Sequence, residues 1–95
     1  MGYFELKARK GVIKVKTSVE EGVLRDVEIS GDFFFYPEEA FWRFKNCLKD
    51  TRADYDEILR KIESFFKSEG VRLVGCSVED FAKAVYYSAI GGEGT

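Results

Sequence analysis

The chain has no histidine, two cysteines, a single proline and no long apolar run. Without histidine, Ser–His and Cys–His nucleophilic pairs are excluded, as is the commonest general base. Cys47 and Cys76 stand far apart, with no second cysteine beside either. A zinc site takes four ligands, usually in close pairs, so both read as small apolar thiols. No stretch approaches the roughly 18 apolar residues of a membrane span, and no signal peptide is visible. Met1-Gly2 opens like a myristoylation site, but Leu6 stands where that motif requires Ser or Thr. Charge is nearly balanced, 15 basic against 17 acidic residues, whereas a nucleic-acid binder favours a strongly basic balance. The expectation is one cytoplasmic domain of 95 residues without internal repeats, with residues 91–95 as a flexible glycine-rich tail.

What is abundant is aromatic: 16% of the residues, nine of them Phe. That is more large apolar area than a small core hides, and it points to a partner surface.

Residues 3–30 alternate with period two, as half-buried antiparallel strands do. Phe4, Leu6 and Ala8, then Ile13, Val15 and Thr17, then Val23, Val27 and Ile29 form the apolar face. Lys10-Gly11 predicts a two-residue loop that sets Arg9 against Val12 and Leu6 against Val15. Glu20-Glu21-Gly22 predicts a three-residue loop that sets Val19 against Val23 and Val15 against Val27. Arg25 breaks the pattern and is expected at the rim of the core. On the outer face this register places Glu5 opposite Lys16, Lys16 opposite Asp26, and Lys14 opposite Glu28. Lys7, Arg9, Lys14 and Lys16 then read as a solvated, locally neutralised face rather than a phosphate site.

Helical spacing begins at Pro37, which suits a first helical position, with Glu38 and Glu39 at the positive dipole end. Ala40, Phe41, Phe44, Cys47 and Leu48 form one stripe, and Trp42 lies off it. Asp54 with Glu57 predicts a capping box for a second helix, with Tyr55, Ile58, Leu59, Ile62, Phe65 and Phe66 on one face and Gly70 at its end. A short apolar piece, Val71 to Val74, follows. Ser77 with Asp80 caps a last helix to about Ile90, burying Val78, Phe81, Val85 and Ala89. The fold class is α+β: a three-stranded meander with three helices packed on its inner face, a two-layer sandwich.

Chemistry is sparse. Ser30-Gly31-Asp32 has one glycine and no basic partner, and the tail glycines precede no helix, so neither is a phosphate loop. Asp54, Asp56 and Glu57 suit a helix start, and Glu20 and Glu21 a solvated turn, rather than an acid–base pair. Phe33, Phe34, Phe35 and Tyr36 remain. Either Phe33 with Phe35, or Phe34 with Tyr36, caps the core, and the others form an anchor for another protein.

The run Lys10-Gly11, Glu21-Gly22, Asp26-Val27, Ile29, Gly31-Asp32-Phe33-Phe34 and Glu38-Glu39 resembles the C-terminal accessory domain of lipoate–protein ligases. The resemblance spans roughly residues 3 to 90. It implies a non-catalytic partner of a large domain that binds lipoate, ATP and Mg, makes lipoyl-AMP, and transfers the lipoyl group to a lysine of an acceptor protein. In some organisms the small domain is a separate polypeptide pairing with the catalytic subunit, and a Met-initiated chain of this length looks like that case. The expected interface comprises Gly31, Asp32, Phe33, Phe34, Phe35, Tyr36 and Trp42. No catalytic residue, metal or bound cofactor is expected on this chain. The same design also resembles iron–sulfur scaffold proteins, which carry a cysteine just after the glycine turn where Phe33 to Phe35 stand. A metal or sulfur carrier, and an adaptor for an unrelated partner, are the alternatives.

Overall fold

The computed structural model describes residues 2–91. Residues 92–95 of the expected tail, and Met1, lie outside the described residues. Strands β1 (Gly2–Ala8), β2 (Gly11–Glu20) and β3 (Val23–Asp32) form an antiparallel sheet in the order β1-β2-β3. A short strand β4 (Phe34–Tyr36) follows, then helices α1 (Glu39–Cys47) and α2 (Tyr55–Glu69), strand β5 (Arg72–Val74) and helix α3 (Val78–Ala89). The fold is α+β, as the periodicity predicts.

The first hairpin register differs from expectation by two residues, and the second by one at its turn and by two from Ser18 back along β2. The first turn is Arg9-Lys10, so Ala8 pairs with Gly11 and Leu6 with Ile13, not with Val15. Gly11 is therefore a strand residue. A Cβ on it would lie 2.0 Å from the carbonyl oxygen of Asp32, so its role is close approach between strands rather than turn geometry. The second turn is Glu21-Gly22, with φ of 53° and 75°, which closes Glu20 against Val23. Val15 then faces Ile29 rather than Val27. A slip of two residues leaves every side chain on its own face, whereas a slip of one would reverse it. Ile13, Val15, Thr17, Val27 and Ile29 are accordingly buried as the alternation predicts.

Arg25 marks a local exception. Ser18 pairs with Asp26 and Val19 with Leu24, so Arg25 is the extra residue of a bulge. The bulge changes the phase of the strand, and Leu24, not Val23, is fully buried. Arg25 turns out to the surface, where it donates to Asp50 at 3.0 Å and approaches Glu20 at 3.7 Å. Beside it the chain returns to cover this edge of β3. Leu24 N–H donates to the Thr51 carbonyl at 2.8 Å, and Asp50 N–H donates to the Leu24 carbonyl at 2.7 Å.

Helix ends follow the capping residues in part. Ser77 and Asp80 make a complete capping box on α3. At α2 only one half forms: Asp54 accepts from Glu57 N–H at 3.2 Å, while the Glu57 carboxylate turns to Arg60 at 3.5 Å. Pro37 precedes α1 rather than opening it. It stands in a turn in which Ala40 N–H donates to the Pro37 carbonyl at 3.1 Å.

α3 packs across β1 and β2, α2 packs on α3 and α1, and α1 flanks β3 and β4. On α3 the buried residues are Phe81, Ala82, Ala84, Val85 and Ser88, with the expected Val78 and Ala89 half-buried. Small side chains let this helix approach the sheet, where one polar pair is sealed in. Ser88 Oγ donates to the Val85 carbonyl at 2.8 Å, which uses its only proton. Thr17 Oγ1 is therefore the donor in its 3.1 Å bond to Ser88 Oγ.

Candidate protein-docking site

β3 runs through Gly31 and Asp32 into the aromatic stretch. Gly31 has a φ of 143°, and a Cβ there would stand 2.0 Å from the Val12 carbonyl oxygen. Only glycine meets both conditions, so this residue sets where the sheet gives way to β4.

The four aromatics then divide by alternation. β4 pairs with β5, setting Phe34 against Val74, Phe35 against Leu73 and Tyr36 against Arg72. Phe35 points inward and is 6% exposed. Its ring meets Phe41 at 5.0 Å, Phe44 at 5.4 Å and Phe66 at 5.6 Å. Phe33 is half-buried, edge-on to Phe81 at 5.1 Å. Phe34 and Tyr36 project from the other side of the ribbon, 61% and 62% exposed, beside Val74 at 60%. Of the two arrangements open from sequence, Phe33 with Phe35 is the inward pair.

A groove of about 530 Å³ opens beside this ribbon, lined by β3 (Ile29 to Gly31), by Phe33, Phe34 and Phe35, and by Glu38 and Phe41. Four of the expected interface residues therefore come together: Gly31, Phe33, Phe34 and Phe35. Asp32, Tyr36 and Trp42 do not line it. Asp32 is exposed at the end of β3, Tyr36 stands on the outer ribbon face, and Trp42 is 68% exposed on α1, one turn beyond Glu38. Val74, Phe41 and Glu38 belong to the surface and escape sequence reasoning. The signal for Val74 is the out–in–out pattern of Arg72, Leu73 and Val74, too short to read as a strand without its partner.

The cysteines lie apart, Cys47 on α1 and Cys76 after β5. Burial pushes both thiols up to about 11, with Lys61 working in the opposite direction on Cys47 and Asp80 adding to the rise on Cys76. At neutral pH they are protonated and poor nucleophiles or ligands. Among the described residues no three Cys, Asp or Glu side chains gather in a metal-holding group. Folding raises these pKa values above the ordinary 9.0, so the folded chain binds protons that the unfolded chain releases. Their contribution to stability is complete below pH 9.0 and is lost as pH rises toward about 11. Chemical denaturation at a series of alkaline pH values is expected to show a decline there that is smaller in the Cys47→Ala/Cys76→Ala double variant, where the Tyr3 phenol, also raised, remains.

Residues 3–84 match the family model described as the bacterial lipoate protein ligase C-terminus. Lipoate-protein ligase A subunit 2 of Thermoplasma acidophilum is 34% identical over 80 residues, covering 83% of this chain and 81% of that one. A chain in the solved structures of the T. acidophilum archaeal lipoylation system, a bi-partite lipoate protein ligase and its E2 lipoyl domain, superposes with a TM-score of 0.79 at 32% identity. It covers 87% of this chain and 91% of its own length. No helix among the described residues is long and apolar enough to cross a membrane. The family model, the relative and the superposed fold agree over most of the length, and the chain belongs to the family of lipoate protein ligase C-terminal domains.

Proposed function

We propose that this chain is the non-catalytic accessory subunit of a two-part lipoate–protein ligase, working in the cytoplasm. The observation that carries the proposal is the exposed aromatic ribbon and its groove, on a chain similar over most of its length to a ligase subunit. Phe34, Tyr36 and Val74 place about three large apolar groups in water on one small ribbon, where an unpartnered domain gains nothing from them. The catalytic subunit covers this surface. Phe34 and Tyr36 are the anchors, Trp42 extends the contact onto α1, and Gly31, Phe33 and Phe35 form its floor. ATP, Mg and lipoate bind to the catalytic subunit, which makes lipoyl-AMP and transfers the lipoyl group to a lysine of a lipoyl-accepting protein. The accessory chain supplies no reacting group. It biases the large subunit toward the conformation competent for adenylation, by binding that conformation more tightly.

Lipoyl-AMP formation by the catalytic subunit is expected to rise on adding this chain, and equal rates with and without it would overturn the proposal. Phe34→Ala is expected to weaken the complex by about 2 kcal/mol, roughly 30-fold in Kd, as truncation of a central aromatic anchor does. Because Phe34 is solvent-exposed in the free chain, its thermal midpoint should stay put. Calorimetric titration and a melting curve separate the two effects.

A further inference from the structure

A second depression, of about 320 Å³, lies on the outer side of β3. It is lined by Lys14 and Lys16 of β2, Glu28 to Ser30 of β3, Tyr3 and Lys45 of α1. The observed register leaves these lysines less neutralised than the sequence suggests. Lys14 lies between Glu5 and Ser30, not opposite Glu28, and Lys16 lies between Tyr3 and Glu28, not opposite Asp26. Among the described residues no carboxylate comes within salt-bridge distance of Lys14, Lys16 or Lys45. One Glu5 carboxylate oxygen is engaged instead by the Tyr3 hydroxyl at 3.1 Å. Three ammonium groups thus line a depression that holds one carboxylate, Glu28, with Glu5 the cross-strand neighbour of Lys14 just outside it, within a chain whose net charge is −2.

This basic seam is continuous with the aromatic groove. Ile29 and Ser30 line both. Lys45 joins them physically, its Nζ 5.2 Å from the centroid of Phe41, a ring that lines the groove. The aromatic groove is an open trough on the surface, and the lysine-lined depression is about half open beside it. A small ligand is usually enclosed on most sides, so an open trough suits a polypeptide better.

We propose that the lysine seam is the electrostatic half of one docking surface, and that its occupant is a carboxylate-bearing segment of the catalytic subunit lying next to the apolar side chain that fills the groove. This rests on the subunit assignment above. Charge complementarity at the rim of an apolar anchor acts mainly on the rate of encounter and on register. Phe34 governs how long the complex lasts, and Lys14, Lys16 and Lys45 govern how fast and in which orientation it forms.

The test is stopped-flow or surface-based kinetics of the source organism's catalytic ligase subunit with the wild-type chain, Lys14→Glu/Lys16→Glu, Lys45→Gln and Phe34→Ala. Lys14 and Lys16 are exposed, so the double variant is expected to keep its circular dichroism and melting midpoint. Its association rate is expected to fall about 10-fold or more at low salt. That difference should vanish near 1 M salt, where the screening length is about 3 Å. Lys45→Gln should show a smaller loss of the same kind, and Phe34→Ala should change mainly the dissociation rate. Unchanged association rates in the lysine variants, with Phe34→Ala still weakening the complex, would overturn the proposal and leave the subunit assignment standing. A wild-type chain that does not bind the catalytic subunit would overturn both. Self-association of the chain alone at low salt, abolished by Lys14→Glu/Lys16→Glu, would make a second copy the occupant and overturn the proposal as stated.

Discussion

Phe44→Ala is expected to remove about 3–5 kcal/mol of stability, the range for truncating a fully buried aromatic. Phe44 has no exposed surface, and its ring stands at the centre of an aromatic cluster. It lies 5.4 Å from Phe35, 5.5 Å from Phe65, 5.4 Å from Phe66 and 5.5 Å from Phe81. These rings come from β4, α2 and α3, so a cavity here loosens three elements at once. Small domains carry roughly 5–15 kcal/mol in total, and one this short buries a smaller share of its surface than a larger one does. Each kcal/mol shifts the midpoint of a domain of 60–100 residues by about 4–8 °C, so a fall of roughly 12–40 °C is expected. Thermal unfolding followed by circular dichroism measures it. Phe44→Leu should cost far less, because most of the volume is kept. A fall below about 5 °C for the alanine variant would show that the surrounding rings close over the cavity.

Gly31→Ala is expected to be strongly destabilising, although it adds one carbon at an exposed position. The new Cβ would stand 2.0 Å from the Val12 carbonyl oxygen, an atom fixed by the sheet. The φ of 143° adds strain that an L side chain rarely accepts. A loss of roughly 2–5 kcal/mol follows from the clash and the backbone strain together. Gly22→Ala separates the two causes. At φ 75° it carries strain, yet an added Cβ meets nothing within 4 Å. Urea denaturation of both variants should give the larger loss for Gly31→Ala by about 1 kcal/mol or more, with equal losses showing that the clash relaxes. Gly31→Ala should also weaken binding to the catalytic subunit beyond its effect on folding, because moving the end of β3 reshapes a groove that Gly31 itself lines.

Both variants sit where long-range packing acts, and that is where sequence reading stops. Period-two alternation placed Ile13, Val15, Thr17, Val27 and Ile29 in the core without knowledge of either turn, because side-chain direction along a strand is local. Ser77, Asp80 and Gly70 marked helix ends for the same reason: a cap is made between residues three or four apart. Register was different. Turn residues allowed more than one loop, and close backbone approach at Gly11 and Gly31, which involves Asp32 and Val12 from the facing strand, favours the one observed. The phase change at Arg25 was equally hidden, since the bulge is held by Asp50 and by the return of Thr51 onto Leu24.

By itself the sequence determined the α+β class, the apolar face of the meander, the bounds of α2 and α3 and the excess of aromatic surface at Phe33 to Tyr36. Only the tertiary structure decided which aromatics face water. That choice needs β5, nearly 40 residues downstream, to lie beside β4 and bring Leu73 against Phe35 and Val74 against Phe34. It also decided that Lys14, Lys16 and Lys45 share one seam. Two of them come from a strand and the third from a helix, and which charge stands opposite which follows from a strand register fixed by contacts far apart in the chain.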